Sequence, residues 1–263
     1  MDGKALRVLS MLCEVSQTVK HFLNNQDCFE MNWWRYSRRQ LAVFLLLNEC
    51  QIDELVRKSY DFEQKSNRHI RRRHFGPIRV PVTPLNTDDM TVKIYDTFMV
   101  RVLFNSKAEM PYENHGEKIY LSTHLGSDLK SLCCDDGAKY LFIHSYYVPC
   151  TQPVHSKRPA CCRLLADAAD EYRNLRIFIS YELVHSRTKL VEAEAILHKS
   201  SVMMTQLSSA TLSLQTHRSC LRQWALNTSL RLIRSLLSWL TCQPNGLTTL
   251  VSRIYRNIYN MNP

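Results

Sequence analysis

Leu9, Leu12, Cys13 and Val19 recur at helical spacing, and the apolar positions from Ala5 to about Gln64 predict two or three helices. One of these is expected where Leu41 to Leu47 run into Ile52, Leu55 and Val56. The segment Arg68-His69-Ile70-Arg71-Arg72-Arg73-His74 ends that pattern, and Pro77, Pro81 and Pro84 keep the following chain extended. This reads as a basic connector with a boundary after residue 74. Beyond it, Asp96 to Phe104, Lys139 to Tyr146 and Leu175 to Leu183 carry the β-branched and aromatic content of strands. Helical stretches around Gly116 to Leu125, Cys161 to Tyr172 and Lys189 to Lys199 alternate with them, and Val202 to Leu207 predicts a short last strand. Such alternation is the pattern of an α/β fold, a mixed sheet flanked by helices. Further on, Leu226, Leu230, Ile233, Leu236, Leu237 and Leu240 form one apolar stripe opposite Arg231, Arg234 and Ser238. The expected organisation is therefore a helical N-terminal region over 1–74, an α/β domain over 75–215 and C-terminal amphipathic helices over 216–263.

With 263 residues, 45% of them hydrophobic, the chain is long enough to bury a full core, which excludes a disordered or fibrous class. Its 34 Lys and Arg against 24 Asp and Glu leave a net charge of +10, which suits an anionic partner such as nucleic acid. Arg7, Glu14 and Lys20 interrupt the first apolar stretch, as no secretory core tolerates, and Leu41 to Leu47 fall far short of the roughly 20 residues that span a bilayer. An intracellular protein, cytoplasmic or nuclear and without a membrane partner, is expected. In that reducing setting most of the ten cysteines should be small buried hydrophobes, leaving a few for chemistry.

Two short motifs stand where this α/β pattern places a site. His115-Gly116-Glu117 opens a helix, and Pro149-Cys150 follows a strand with Cys161-Cys162 opening the next helix. Catalytic zinc takes about three protein ligands and leaves a position for water, and one imidazole with two thiolates is a suitable set. The i, i+2 spacing lets His115 face a metal while the Glu117 carboxylate lies beside the bound water without ligating it. Zn2+ held by His115, Cys150 and Cys161, with Cys162 as the alternative, and Glu117 as general acid and base is the resulting expectation. The order of the motifs follows the H-x-E then P-C-x-x-C signature of zinc deaminases. Without a metal the same residues read as a helix-start histidine, a first-turn acid favoured by the helix dipole, and core thiols.

The likeness extends past the ligands. Tyr147-Val148-Pro149-Cys150, then Cys161-Cys162-Arg163-Leu164-Leu165-Ala166-Asp167, then Leu175-Arg176-Ile177-Phe178-Ile179 resemble successive segments of the activation-induced deaminase and APOBEC family, within the zinc-dependent cytidine deaminase superfamily. Ile196-Leu197-His198-Lys199 before Val202 resembles the family's next helix and last parallel strand. The resemblance covers about Thr91 to Leu207 and implies a cytidine-deaminase-like fold with zinc. It departs from the family at Val148, where a serine is usual, and in the ten residues from Thr151 to Ala160, where two are usual. A loop between a strand end and a helix start can lengthen at little cost, about 0.6 kcal/mol per doubling. His155, inside that loop, is a further possible ligand.

Several aromatic and basic segments surround these motifs. Trp33-Trp34-Arg35-Tyr36 interleaves stacking faces with cations, as single-strand binders do, but coming just before Leu41 to Leu47 it reads first as two tryptophans packed into a helical core. Arg71, Arg72 and Arg73 read as phosphate contacts, an import signal or a solvated connector. Tyr146 and Tyr147 lie close enough to Cys150 to stack on a base, and His144 and Tyr146 either line a pocket or pack. The expected activity is hydrolytic deamination of cytosine in single-stranded DNA or RNA. A free nucleoside or nucleotide deaminase, and a catalytically silent nucleic-acid-binding protein of the same fold, remain as alternatives.

Overall fold

The computed structural model describes residues 2–25, 40–68, 78–79, 89–105, 115–132, 137–152, 159–186 and 188–207. By its internal contacts the chain divides into Met1–Ser209 and Ala210–Pro263, and every described residue lies in the first unit. The helices expected over 216–263, the tryptophan cluster and Arg71 to Arg73 lie outside the described residues.

In chain order the elements are α1 (Gly3–Asn25), β1 (Leu41–Asn48), α2 (Glu49–Arg68), β2 (Ile78–Arg79), β3 (Asp89–Ile94) and β4 (Phe98–Phe104). A helix α3 over 116–131 follows, built from Gly116–Ile119, a π-helical Tyr120–His124 and Leu125–Ser131. Then come β5 (Lys139–Tyr147), α4 (Cys161–Glu171), β6 (Leu175–Leu183), α5 (Leu190–Lys199) and β7 (Met203–Gln206). The strands form one mixed sheet in the order β2-β3-β4-β1-β5-β6-β7. β5, β6 and β7 run parallel through the crossover helices α4 and α5, and the remaining pairings are antiparallel.

Leu41 to Leu47, expected as a helix, is instead the middle strand of this sheet. The reason is burial on both faces. Leu41, Val43, Leu45 and Leu47 pack into the core under α1 and α2, while Ala42 and Phe44 pack into the core under α3, α4 and α5. A strand covered on both sides loses the alternation that marks half-buried strands, and a seven-residue apolar run then imitates a helix segment. Because β1 pairs with both β4 and β5, residues on either side of the boundary expected at 74 build a single sheet.

β5 starts and ends within a residue of expectation and β6 matches its expected bounds, whereas β2 and β3 were not signalled by the pattern. β5 is an interior strand, one place from the middle that β1 occupies. It carries the site, because its successive side chains enter the two cores in turn. Leu141 and Ile143 point to the α3/α4 side and Phe142 to the α1 side. Each such fully buried apolar side chain contributes about 1.5–3 kcal/mol relative to exposure.

Candidate metal centre

The site lies where three element ends meet on the α3/α4 face of the sheet. His115 precedes the first turn of α3 in an extended conformation (φ −72°, ψ 150°), and Gly116 and Glu117 begin the helix. Gly116 sits at a close approach of α3 to the sheet. A Cβ there would sit 3.1 Å from Ala42 Cβ, 3.2 Å from the Leu103 carbonyl oxygen and 3.4 Å from Leu103 Cβ, so β1 and β4 would have to give by a few tenths of an ångström to admit one. The Gly116 amide donates to Asn105 Oδ1 at 2.9 Å, which fixes the entry of the chain from β4. The π-helical turn that follows holds Tyr120 stacked on Phe44 at a centroid distance of 4.4 Å. Its hydroxyl donates to Asp128 Oδ2 at 3.1 Å.

Cys150 follows β5, and Cys161 is the first residue of α4. The turn and the helix start are stitched together: the Cys161 amide donates to Cys150 Sγ at 3.2 Å and the Cys162 amide to the Cys150 carbonyl at 3.1 Å. A thiolate at Cys150 therefore receives a backbone N–H at the positive end of a helix. His115 Nδ1 lies 3.3 Å from Cys161 Sγ, and the ligand atoms of His115, Cys150 and Cys161 all fall within 4.8 Å of one another. Cys162 is turned away. Its thiol donates to the Pro149 carbonyl at 3.1 Å, and burial pushes it up to about 12.

Glu117 is buried beside this group. Ser145 Oγ, on β5, donates to its Oε1 at 2.9 Å, and its Oε2 stands 4.0 Å from Cys161 Sγ. The carboxylate thus adjoins the three ligand atoms without being one of them. Ser145 and Asn105 were not singled out by the sequence. The alternation of β5 held a clue to Ser145, which shares the face of Leu141 and Ile143.

The donors suit zinc. Bond lengths of about 2.0–2.1 Å to nitrogen and about 2.3 Å to sulfur, at tetrahedral angles, separate a nitrogen and a sulfur ligand by about 3.6 Å. The His115–Cys161 distance lies near that value. The Cys161 thiol, then the His115 ring and the Cys161 amide, hold Cys150 well below the usual thiol range against the opposing effect of burial. Cys161 is held above that range, chiefly by its hydrogen bond to the Cys150 sulfur and by burial. Two thiols this close share one negative charge, and a divalent cation between them removes the repulsion that prevents the second ionisation.

Tyr147 lies half-buried on the Ser145 side of β5, edge-on to the His185 ring at 5.1 Å. Tyr146 alternates to the α1 side, where Lys20 Nζ sits 4.1 Å over its ring. Most of the loop between Cys150 and Cys161, His155 included, and Cys133-Cys134 lie outside the described residues. Among the described residues no helix is long and apolar enough to cross a membrane.

No family model matches the chain, and no curated protein matches it either. Among solved structures it is similar to the crystal structure of the Aspergillus oryzae Rib2 deaminase in complex with DARIPP, a C-terminal deletion mutant at pH 6.5. The two are 9% identical, with 79% of this chain and 85% of that chain covered at a TM-score of 0.39.

Proposed function

We propose that the chain is a zinc-dependent hydrolytic deaminase that converts cytosine to uracil in single-stranded nucleic acid. The carrying observation is the buried Glu117 carboxylate adjoining the His115, Cys150 and Cys161 ligand atoms. His115, Cys150 and Cys161 would hold the zinc, which would supply a hydrolytic water with its pKa lowered to about 7. Glu117 would take one proton of that water and deliver it to the ring nitrogen, then carry the proton of the hydroxyl now on the ring carbon to the departing amine, so that water and cytosine become uracil and ammonia. Ser145 holds Oε1 of Glu117, which leaves Oε2 on the metal side as the oxygen that exchanges protons.

The resemblance of the 91–207 segment to the activation-induced deaminase and APOBEC family favours cytosine and a polynucleotide. The net charge of +10 supports an anionic substrate. On this reading Tyr147, on the Ser145 side of β5, would stack on an extruded base.

The test is uracil formation by zinc-loaded protein on single-stranded DNA, single-stranded RNA and free cytidine. Product from a single strand and none from cytidine is expected. Product from cytidine alone would move the chain to nucleoside metabolism, and no product with zinc bound would make it a silent binding protein. Replacing Arg71, Arg72 and Arg73 with alanine should weaken strand binding and flatten its logarithmic salt slope by about 2, at roughly 0.7 per phosphate contact. An unchanged slope would assign these arginines to a connector or an import signal.

A further inference from the structure

The opposite face of β5 carries a second group of ligand-type side chains. Ser145 faces Glu117, and its neighbour His144 faces α1, where its ring is fully buried. Glu182 reaches the same place from β6, two residues beyond Ser180, which is the register partner of His144. Cys13, also fully buried, comes from the middle of α1. The ligand atoms of Cys13, His144 and Glu182 lie within 4.8 Å of one another.

Two observations separate this group from ordinary packing. His144 Nδ1 is engaged with Ser180 Oγ at 2.9 Å, which orients the ring and leaves Nε2 as the free ligand atom. That Nε2 and Glu182 Oε1 stand 3.4 Å apart, an ion-pair distance when the imidazole is protonated, and among the described residues neither atom makes a hydrogen bond of good geometry. An imidazole nitrogen and a carboxylate oxygen on one tetrahedral zinc ion, each at about 2.0–2.1 Å, are separated by about 3.4 Å. Cys13 supplies the third donor, its sulfur already accepting from Gln17 Nε2 at 3.4 Å.

We propose that Cys13, His144 and Glu182 form a second, structural metal site for a zinc-type cation, on the face of the sheet opposite His115, Cys150 and Cys161. The ion ligates both atoms at once and ties α1 to β5 and β6. A thiolate and a carboxylate neutralise its two charges, so Lys20, 3.8 Å from Glu182 Oε1 and over the Tyr146 ring, is the remaining cation at its edge. Cys13 and His144 are fully buried and only Glu182 is partly exposed, which suits an ion that holds the fold together.

The proposal shares no residue with the first site, and metal analysis of the full chain tests it separately. Dialysed wild-type protein should hold about two zinc ions, and Cys13→Ser and the double variant Cys150→Ala/Cys161→Ala about one each. Cobalt loaded into that double variant should show a single-thiolate charge-transfer band, which Cys13→Ser removes. If Cys13→Ser does not fold, Glu182→Gln replaces it, and the cobalt band of the double variant decides by itself. About one zinc in the wild type, lost entirely in the double variant together with any thiolate band, would overturn the second site. About one zinc that survives in the double variant and disappears with Cys13→Ser would support it and remove the first site instead.

Discussion

β5 presents two neighbouring residues to two unlike environments. Ser145 serves a group assembled from element ends, the start of α3, the turn after β5 and the start of α4, in which His115 and Cys150 remain partly open. His144 belongs to a group drawn from the interiors of α1, β5 and β6, in which Cys13 and the imidazole are fully buried. Both draw on cysteine, histidine and glutamate, the first with two thiols and the second with one, so residue type alone does not tell which of them reacts. Position does. Element ends leave unpaired backbone amides and a solvent edge, which lower a thiol's pKa and admit a substrate. Element interiors offer only side chains already committed to packing, which suits a fastening and not a reaction.

The largest effect on this contrast is expected from Cys150→Ala. It removes a proposed ligand and the sulfur that accepts the Cys161 amide, so metal at that site and deamination should be lost together while an ion at the His144 group is kept. Metal content and rate measured on one preparation check this, and retained activity would break the distinction between the two faces.

A smaller effect should follow from the two glycines of α3. Gly116→Ala forces a Cβ against the Leu103 carbonyl, a backbone atom that cannot swing away, and should cost about 1–3 kcal/mol in urea unfolding while displacing His115 and Glu117. Gly126→Ala meets nothing within 4 Å and should be neutral or stabilising by up to about 1 kcal/mol. Equal costs at both positions would show that close approach to β1 and β4 is not what positions the site.

The smallest effect concerns His124 in the π-helical turn, where burial and then Arg101 hold the imidazole below its usual range, with Asp89 and Asp128 opposing. A histidine whose folded pKa lies below its unfolded value of about 6.5 favours folding in its neutral form. Its contribution is complete above about 6.5 and is lost as pH falls through the lowered value. His124→Gln should therefore flatten the fall of the thermal midpoint over that acidic window, and an unchanged profile would remove His124 from the account.

The strands and helices from β5 to β7 were legible because crossover connections separate strand-like from helix-like periods, and Cys161 falls at a helix start that the pattern had marked. β1 was not legible, since full burial on both faces erased its alternation. The choice between Cys161 and Cys162 was open in the sequence, because a one-residue shift in a helix start exchanges them. The structure turns Cys162 to the Pro149 carbonyl and leaves Cys161 with His115. The group around His144 was out of reach for a different reason. Its members lie 131 and 38 residues apart in sequence, and only the pairing of β5 with β6 beneath α1 brings them together.

The most direct measurement is the rate of uracil formation on a single-stranded substrate by wild type and Glu117→Gln at matched zinc content. Glutamine keeps the shape of the side chain and can still accept from Ser145, but it cannot carry a proton. The rate should fall roughly a hundred- to ten-thousand-fold with fold and metal retained. Equal rates in the two proteins would contradict the role assigned to Glu117 and, with it, the proposed chemistry.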